Sequence, residues 1–261
     1  MRTWFYEKET DIDFAEVTDV AAIKEIVLHH CRISNFSCLT AAKALKSIFL
    51  VDCNVTSEDL RCLKELEKLK TIGLNVMTLD SLLCLTEITS LRELRLRKLS
   101  GINYEDLENF KKLQILSIQE AELDNLDFLN QLKNLKELEF NEVEIASLNF
   151  LYNLPKLKTF TMRYCAKDET ALACISDMKN LQSFQYPVGD MRIYQACPKL
   201  NSIGIDASRV TGLEALKGNE TINNVMFYHL QTEKQYEKLL EEANTYLHLT
   251  SYGYVGEIDA E

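Results

Sequence analysis

The stretch LQILSIQEAEL, Leu113 to Leu123, spaces its apolar residues by three, two, three and two. That is neither the 3.6-residue period of a helix nor the alternation of a plain strand. The arrangement returns 22 residues later as Leu135, Leu138, Phe140 and Ile145, and again as Leu157, Phe160 and Met162. Backwards it fits Leu91, Leu94 and Leu96, then Leu69, Ile72, Leu74 and Leu79, then Leu45, Ile48, Leu50 and Val55, then Ile23, Ile26, Leu28 and Ile33. Forwards it runs through Leu181, Phe184, Tyr186 and Met191, then Leu200, Ile203, Ile205 and Val210, and ends at Ile222, Val225 and Phe227. Repeats therefore begin at residues 23, 45, 69, 91, 113, 135, 157, 181, 200 and 222.

The segment around Leu116 and Ile118 predicts a short strand, with those two side chains inward and Ile115, Ser117 and Gln119 outward. The second half of each repeat reads Leu126, Leu129, Leu132, then Leu148, Leu151, Leu154. Its three-residue beat suits a 3-10 turn or a short helix. A unit this small cannot bury its own leucines, so stacked neighbours must bury them jointly.

This pattern resembles the leucine-rich repeat, L-x-x-L-x-L-x-x-N/C-x-L, from Ile23 to Leu230. The repeat length is similar to the short forms of internalins and phosphatase-regulatory solenoids. The resemblance implies an α/β solenoid: a horseshoe with short parallel strands on its concave face and 3-10 or short helical segments on its convex face. The ninth position, where the family carries Asn or Cys, departs from the commonest form. It holds Cys31, Cys53, Met77, Leu99, Ala121, Val143, Cys165, Gly189, Ser208 and Leu230. Three cysteines match, and the rest predict an apolar spine whose turn hydrogen bonds are met by backbone or water.

Residues 1–22, with Trp4, Phe5, Tyr6, Phe14 and Val17, read as an N-terminal cap to the repeats at 23–230. Residues 231–261 read as a C-terminal cap, an amphipathic helix behind Thr232 followed by a closing strand in YLHLTSYGYV. One continuous domain is expected. The repeat at 157–180 is longer than its neighbours and that at 181–199 shorter, with Arg163, Tyr164, Arg192 and Tyr194 between. Drift of the register is favoured there over a binding insertion.

Composition narrows the class. With 46% hydrophobic and 26% charged residues over 261 positions, the chain is of the soluble globular kind. Its net charge of −11 is uneven: −4 lies in residues 1–22 and −5 in residues 231–261, which leaves −2 for the repeats. Acidic ends favour solubility and oppose end-to-end stacking. No basic stripe exists, so nucleic acid is not expected as a partner. The start lacks the basic and apolar regions of a leader, and apolar runs of about four residues fall far short of a membrane span. A cytoplasmic, monomeric protein is expected, its eight cysteines reduced and mostly buried. The triplets NFS, NVT and NET carry no meaning without export.

Positions three, five, seven and eight of each repeat are expected to pave the concave face. They bring a basic block at Arg95 and Arg97, an acidic block at Glu137 and Glu139, and Phe49, Val51, Arg163, Tyr164 and Tyr228 to one surface. Arginine and aromatic anchors on a rigid sheet, with charge to fix register, suit protein binding. A merely solvated face would lack Phe49, Val51, Ile115, Tyr164, Val188, Met226 and Tyr228. The expected function is a non-catalytic protein–protein interaction scaffold with no cofactor. Resemblance to acidic, cysteine-containing repeats such as the ribonuclease inhibitor implies an intracellular inhibitor or immunity-type protein. Resemblance to the phosphatase-regulatory repeats implies instead an adaptor or regulatory subunit. The third reading is an enzyme with an unrecognised site near His29. The cluster His29, His30 and Cys31 is its only support, since zinc needs three or four converging ligands and successive strand side chains diverge unless a turn intervenes. The sequence holds no G-x-S-x-G, P-loop or H-E-x-x-H motif. No catalytic or metal-ligating residue is expected.

Overall fold

Apolar residues recurring at one interval bury well only if their strands lie side by side in register. The computed structural model describes residues 3–6, 10–145, 147–164, 175 and 178–256. The chain divides into two compact units, Met1–Leu135 with Asn141–Glu144, and Lys136–Phe140 with Ile145–Glu261.

The first unit carries β1 (Thr3–Tyr6), β2 (Thr10–Asp13), β3 (Glu25–His29), β4 (Cys31–Ser34), β5 (Ser47–Val51), β6 (Thr71–Thr78), β7 (Glu93–Ser100) and β8 (Ile115–Ala121). Its main sheet has the order β1-β3-β5-β6-β7-β8, all parallel, and β2 pairs with β4 in a separate parallel ladder. Register follows the repeat: Ile26, Ile48, Ile72, Leu94 and Leu116 are cross-strand partners in turn, and each is fully buried. The three-residue beat becomes 3-10 turns at Phe36–Ala41, Arg61–Glu65, Leu83–Glu87, Tyr104–Asn109 and Asp127–Gln131. Each plants one leucine, Leu39, Leu63, Leu85, Leu107 or Leu129, in the core. A single helical turn, α1 (Ser57–Leu60), opens on a capping box between Thr56 and Asp59. The segment read as an N-terminal cap carries the register one step upstream, because Trp4 pairs with Ile26 and Tyr6 with Leu28.

The second unit carries β9 (Glu137–Val143, whose last three residues group with the first unit), β10 (Thr159–Arg163), β11 (Ser183–Val188), β12 (Ser202–Asp206), β13 (Asn224–Tyr228) and β14 (Ser251–Val255). From β10 to β14 each strand is the parallel neighbour of the next. The expected C-terminal helix is α2 (Glu233–Tyr246), and the Thr232 side chain accepts from the Gln235 amide at its start. It buries Leu239 and Ala243. The closing strand is shorter than YLHLTSYGYV, covering only its second half as β14.

A backbone feature explains the second step of three in the apolar spacing. His30, Asp52, Val76, Lys98, Glu120, Glu142, Tyr164 and His229 all have positive φ, between 48° and 56°. Each is the eighth residue of its repeat. By alternation the eighth side chain would turn inward after the fourth and sixth. The left-handed residue rotates the chain by one place instead, so the eighth projects and the ninth enters the core. Cys31, Cys53, Met77 and Val143 are accordingly buried, whereas Leu99 and Ala121 are half-buried. Backbone bonds serve the turns, as from His30 N to Val51 O (2.8 Å) and Asp52 N to Asn75 O (2.9 Å), and thiols and a side-chain amide add to them. Cys31 Sγ donates to His29 O (3.3 Å), Cys53 Sγ to Val51 O (3.5 Å), and Asn54 Oδ1 accepts from Ile33 N (2.6 Å). Cys165, with half of the longer repeat at 157–180, lies outside the described residues.

Within the shorter repeat the pairing slips. Phe184 pairs with Ile203, but Ile205 pairs with Val188, so β11 carries two residues that β12 lacks. Gly204 makes room for them, since a Cβ there would overlap the Tyr186 backbone. The Tyr194 hydroxyl, fully buried, donates to Gly204 O at 3.0 Å. Tyr194 therefore plugs the slip rather than facing a partner.

Truncating Leu94 or Leu116 to Ala is expected to lower stability by about 2–5 kcal/mol, and the half-buried Ile115 by far less. Urea unfolding measures this, and equal losses at Ile115 and Leu116 would contradict the register. Gly204→Ala, through its backbone overlap, should cost more than Gly189→Ala, whose nearest backbone contact is 3.2 Å.

Candidate functional site

On the outward face of the first unit two cross-strand rows lie next to each other. One runs Phe49, Gly73, Arg95, Ser117, and the other Val51, Asn75, Arg97, Gln119. Together with Leu50, Leu74 and Leu96 they line a groove of about 260 Å³. Four of the sequence-predicted residues, Phe49, Val51, Arg95 and Arg97, thus share one site. Gly73 lets the Phe49 ring lie across it, because a Cβ at that position would overlap the ring. No feature of the repeat pattern marks Gly73 as special; only its place between Phe49 and Arg95 does.

The basic block is internally balanced. Arg95 Nε donates to Glu93 Oε1 at 2.6 Å, and Arg97 Nε to Glu120 Oε1 at 2.5 Å. Glu93 also accepts from Thr71 Oγ1 (3.0 Å), the same position of the preceding repeat. Ser117, expected to face outward, is only 2% exposed and accepts from Gln119 Nε2 at 3.1 Å.

In the second unit Arg163 and Tyr164 are exposed, Tyr164 to 65%. Glu137 is exposed and Glu139 half-buried. Two expectations fail here. Tyr228 is only 4% exposed and Val188 is fully buried, so neither is available to a partner. Burial pushes the Tyr228 hydroxyl up to about 12. Alternation correctly turns Tyr228 outward, but it is silent about what covers that face.

Beside Tyr228 lies a cluster that sequence reasoning missed. Asp206, its cross-strand partner, is 0% exposed. It accepts from Ser208 Oγ (2.6 Å) and the Ser208 amide (3.1 Å), from Arg209 Nε (2.5 Å), and it pairs with His229 Nδ1 (3.0 Å). Burial pushes its carboxyl up, but these hydrogen bonds outweigh that and hold it well below the usual carboxylate range. Asp, His and Ser come together, yet the hydroxyl is spent on the carboxylate and not on the imidazole. That is a clamp, not the nucleophile–base contact of covalent catalysis.

At the other candidate chemistry, His29 ends β3 with its ring 5.8 Å from Phe5. His30 is the left-handed residue that follows, hydrogen-bonded through Nδ1 to Asp52 Oδ2 at 2.9 Å. Cys31 is buried against His29 O, and burial raises its thiol. Burial also pushes Cys62, Cys84 and Cys197 up to about 11, which makes poor nucleophiles. Among the described residues no group of three or more His, Cys, Asp or Glu is placed to hold a metal ion. No described helix is long and apolar enough to cross a membrane.

No family model and no curated protein matches the sequence. Solved structures do match. An internalin, InlF, of Listeria monocytogenes superposes with a TM-score of 0.59 at 14% identity, covering 90% of this chain and 75% of its own. A leucine-rich-repeat protein of Leptospira interrogans gives 0.57 at 14% identity over 93% and 68%. The Listeria internalin C2 gives 0.52 at 15% identity over 66% and 84%. Likeness at this level of identity shows the fold: the chain is a leucine-rich-repeat solenoid of parallel strands and 3-10 turns.

The buried carboxylate gives a pH prediction. Because the folded pKa of Asp206 is depressed, its stabilisation is complete above the unfolded value of about 3.9 and is lost as pH falls below it toward the folded value. Asp206→Asn should lower stability at pH 7 by about 1.5–3 kcal/mol. It should also flatten the fall in stability from pH 4 to pH 2, as read by urea titrations at each pH. An unchanged acid dependence would show that the clamp does not couple to folding.

Proposed function

We propose that this protein is a non-catalytic protein-binding scaffold whose contact surface is the outward face of the first unit's sheet, centred on Phe49, Val51, Arg95 and Arg97. The observation that carries this reading is the groove itself. Two apolar side chains and two guanidiniums, none of them adjacent in sequence, converge on about 260 Å³ of open space. Buried strands fix their spacing, so a partner would meet a preformed surface and pay little ordering entropy. Large apolar and arginine side chains at the centre of a contact supply most of its energy.

Of the two finer versions, an adaptor or regulatory subunit is favoured over an inhibitor steered by charge. Arg95 and Arg97 are each neutralised by a carboxylate, so the face acts through short-range contacts more than through a field. Arg163 and Tyr164, with Glu137 and Glu139, form the second candidate surface. The described cysteines are free thiols, four of the six buried, in keeping with a reducing cytoplasm. We place the protein there as a monomer without cofactor.

Immobilised protein should capture a partner from the native cell lysate. Phe49→Ala, and separately Arg95→Ala with Arg97→Ala, should weaken its affinity at least about tenfold while leaving the unfolding midpoint nearly unchanged. Association should slow little between 50 mM and 500 mM salt. Undiminished binding by both variants would move the site elsewhere, and a steep salt response would favour the inhibitor version.

A further inference from the structure

The first unit builds the same carboxylate site twice, once filled and once open. On β7, Glu93 accepts from the Thr71 hydroxyl of the neighbouring strand (3.0 Å) and from Arg95 Nε, two residues along the same face (2.6 Å). On β3, Glu25 holds the same third place in its repeat. It accepts from Thr3 Oγ1 (2.9 Å) and Ser47 Oγ (3.3 Å), its cross-strand neighbours on either side. Two residues along, where β7 has Arg95, β3 has Val27. Among the described residues no lysine, arginine or histidine pairs with Glu25. Each carboxylate oxygen thus has one neutral donor, and the charge itself is uncompensated; a charged donor forms the shorter and stronger bond. The surroundings suit a guanidinium. Val27, half-buried like Glu25, lies between Phe5 and Phe49 in the cross-strand row. The Phe49 ring leans away from it across Gly73. Phe5 is 52% exposed, and its ring reaches toward β3, with its centroid 5.8 Å from that of His29. A planar cation resting on Val27 therefore has an apolar floor and an exposed ring beside it.

We propose that Glu25 receives an arginine of the partner protein, whose guanidinium takes over Val27 the place that Arg95 takes beside Glu93. Arginine suits the position better than lysine, because its flat, weakly hydrated head lies on apolar surface while donating to a carboxylate. An acidic guest would meet like charge, and an aliphatic one would cover Glu25 without compensating it. Val27 adjoins Phe49, so the arginine would dock within the same surface as the groove. A single half-exposed pair acts at contact and not at a distance, which agrees with an association rate that responds little to salt. The inference rests on the outward face of the first unit being the contact surface, and adds the residue that the partner must present there.

The test uses the full ¹⁵N-labelled chain and three probes: N-acetyl-argininamide, its neutral isostere N-acetyl-citrullinamide, and N-acetyl-lysinamide. Titration of the arginine probe should shift the backbone signals of Glu25 and Val27. It should bind about threefold more tightly than the citrulline probe, as a partly exposed ion pair allows, with the lysine probe between them. Glu25→Gln keeps an acceptor for the two hydroxyls and should bring the arginine-to-citrulline ratio to about one. Val27→Arg copies β7, supplies the guanidinium from within and should abolish the response. Circular dichroism with urea unfolding checks that each variant is folded. Equal affinity for arginine and citrulline, lysine bound as tightly as arginine, a ratio that survives Glu25→Gln, or no shift at Val27 would each overturn the proposal. Loss of the arginine preference with partner capture still sensitive to Phe49→Ala removes this inference alone. Capture insensitive to Phe49→Ala and to the paired Arg95 and Arg97 substitutions removes the wider reading instead.

Discussion

Ile48 and Leu50 are fully buried because Ile26 and Leu28 lie on one side of them and Ile72 and Leu74 on the other. Each of those pairs depends on its own neighbours in the same way. Burial here is shared between turns of chain, and it can be shared only while the strands keep register. The constraint reaches beyond the core. Once Ile48 sits against Ile72, Phe49 must sit against Gly73 and Val51 against Asn75, so the packing of the inward residues fixes what stands next to what on the outward face. Contacts separated by a repeat length follow throughout, from His30 with Asp52 to Thr71 with Glu93 and Lys64 with Glu87.

That coupling sets how much could be read in advance. Inward residues, strand positions, 3-10 turns and the terminal helix were legible because burial writes a period into the apolar positions. The left-handed eighth residue was not, since the chain places Val76, Lys98, Glu142 and Tyr164 there and not glycine or asparagine. Nothing local in those residue types announces positive φ; the geometry is imposed by the ninth side chain entering the core. The strand at Thr3–Tyr6 was passed over although Trp4 and Tyr6 stand 22 residues before Ile26 and Leu28, since the repeats were counted only from Ile23.

The candidate surface was legible in its members and not in its state. Alternation put Phe49, Val51, Arg95 and Arg97 on one face, and register brings them together. That the arginines are already paired depends on Glu93 and Glu120, two and 23 residues away. Laying the repeats side by side would have revealed the second of these. The buried Tyr228 and the Asp206 clamp belong to the ladder next to the pairing slip between β11 and β12, where the period no longer guides inference.

The row of left-handed residues bears on how such a chain responds to selection. A side chain held at positive φ costs about 1–2 kcal/mol relative to a relaxed backbone, and more where it is β-branched, as at Val76. Glycine at any of these eight positions would relieve that cost and delete the group projecting from the rim. Lineages pressed toward heat tolerance would therefore drift to a bare rim, and those held by a partner would keep Asp, Val, Lys, Glu, Tyr and His in place. Which residues persist there across descendants would record where the molecule is touched.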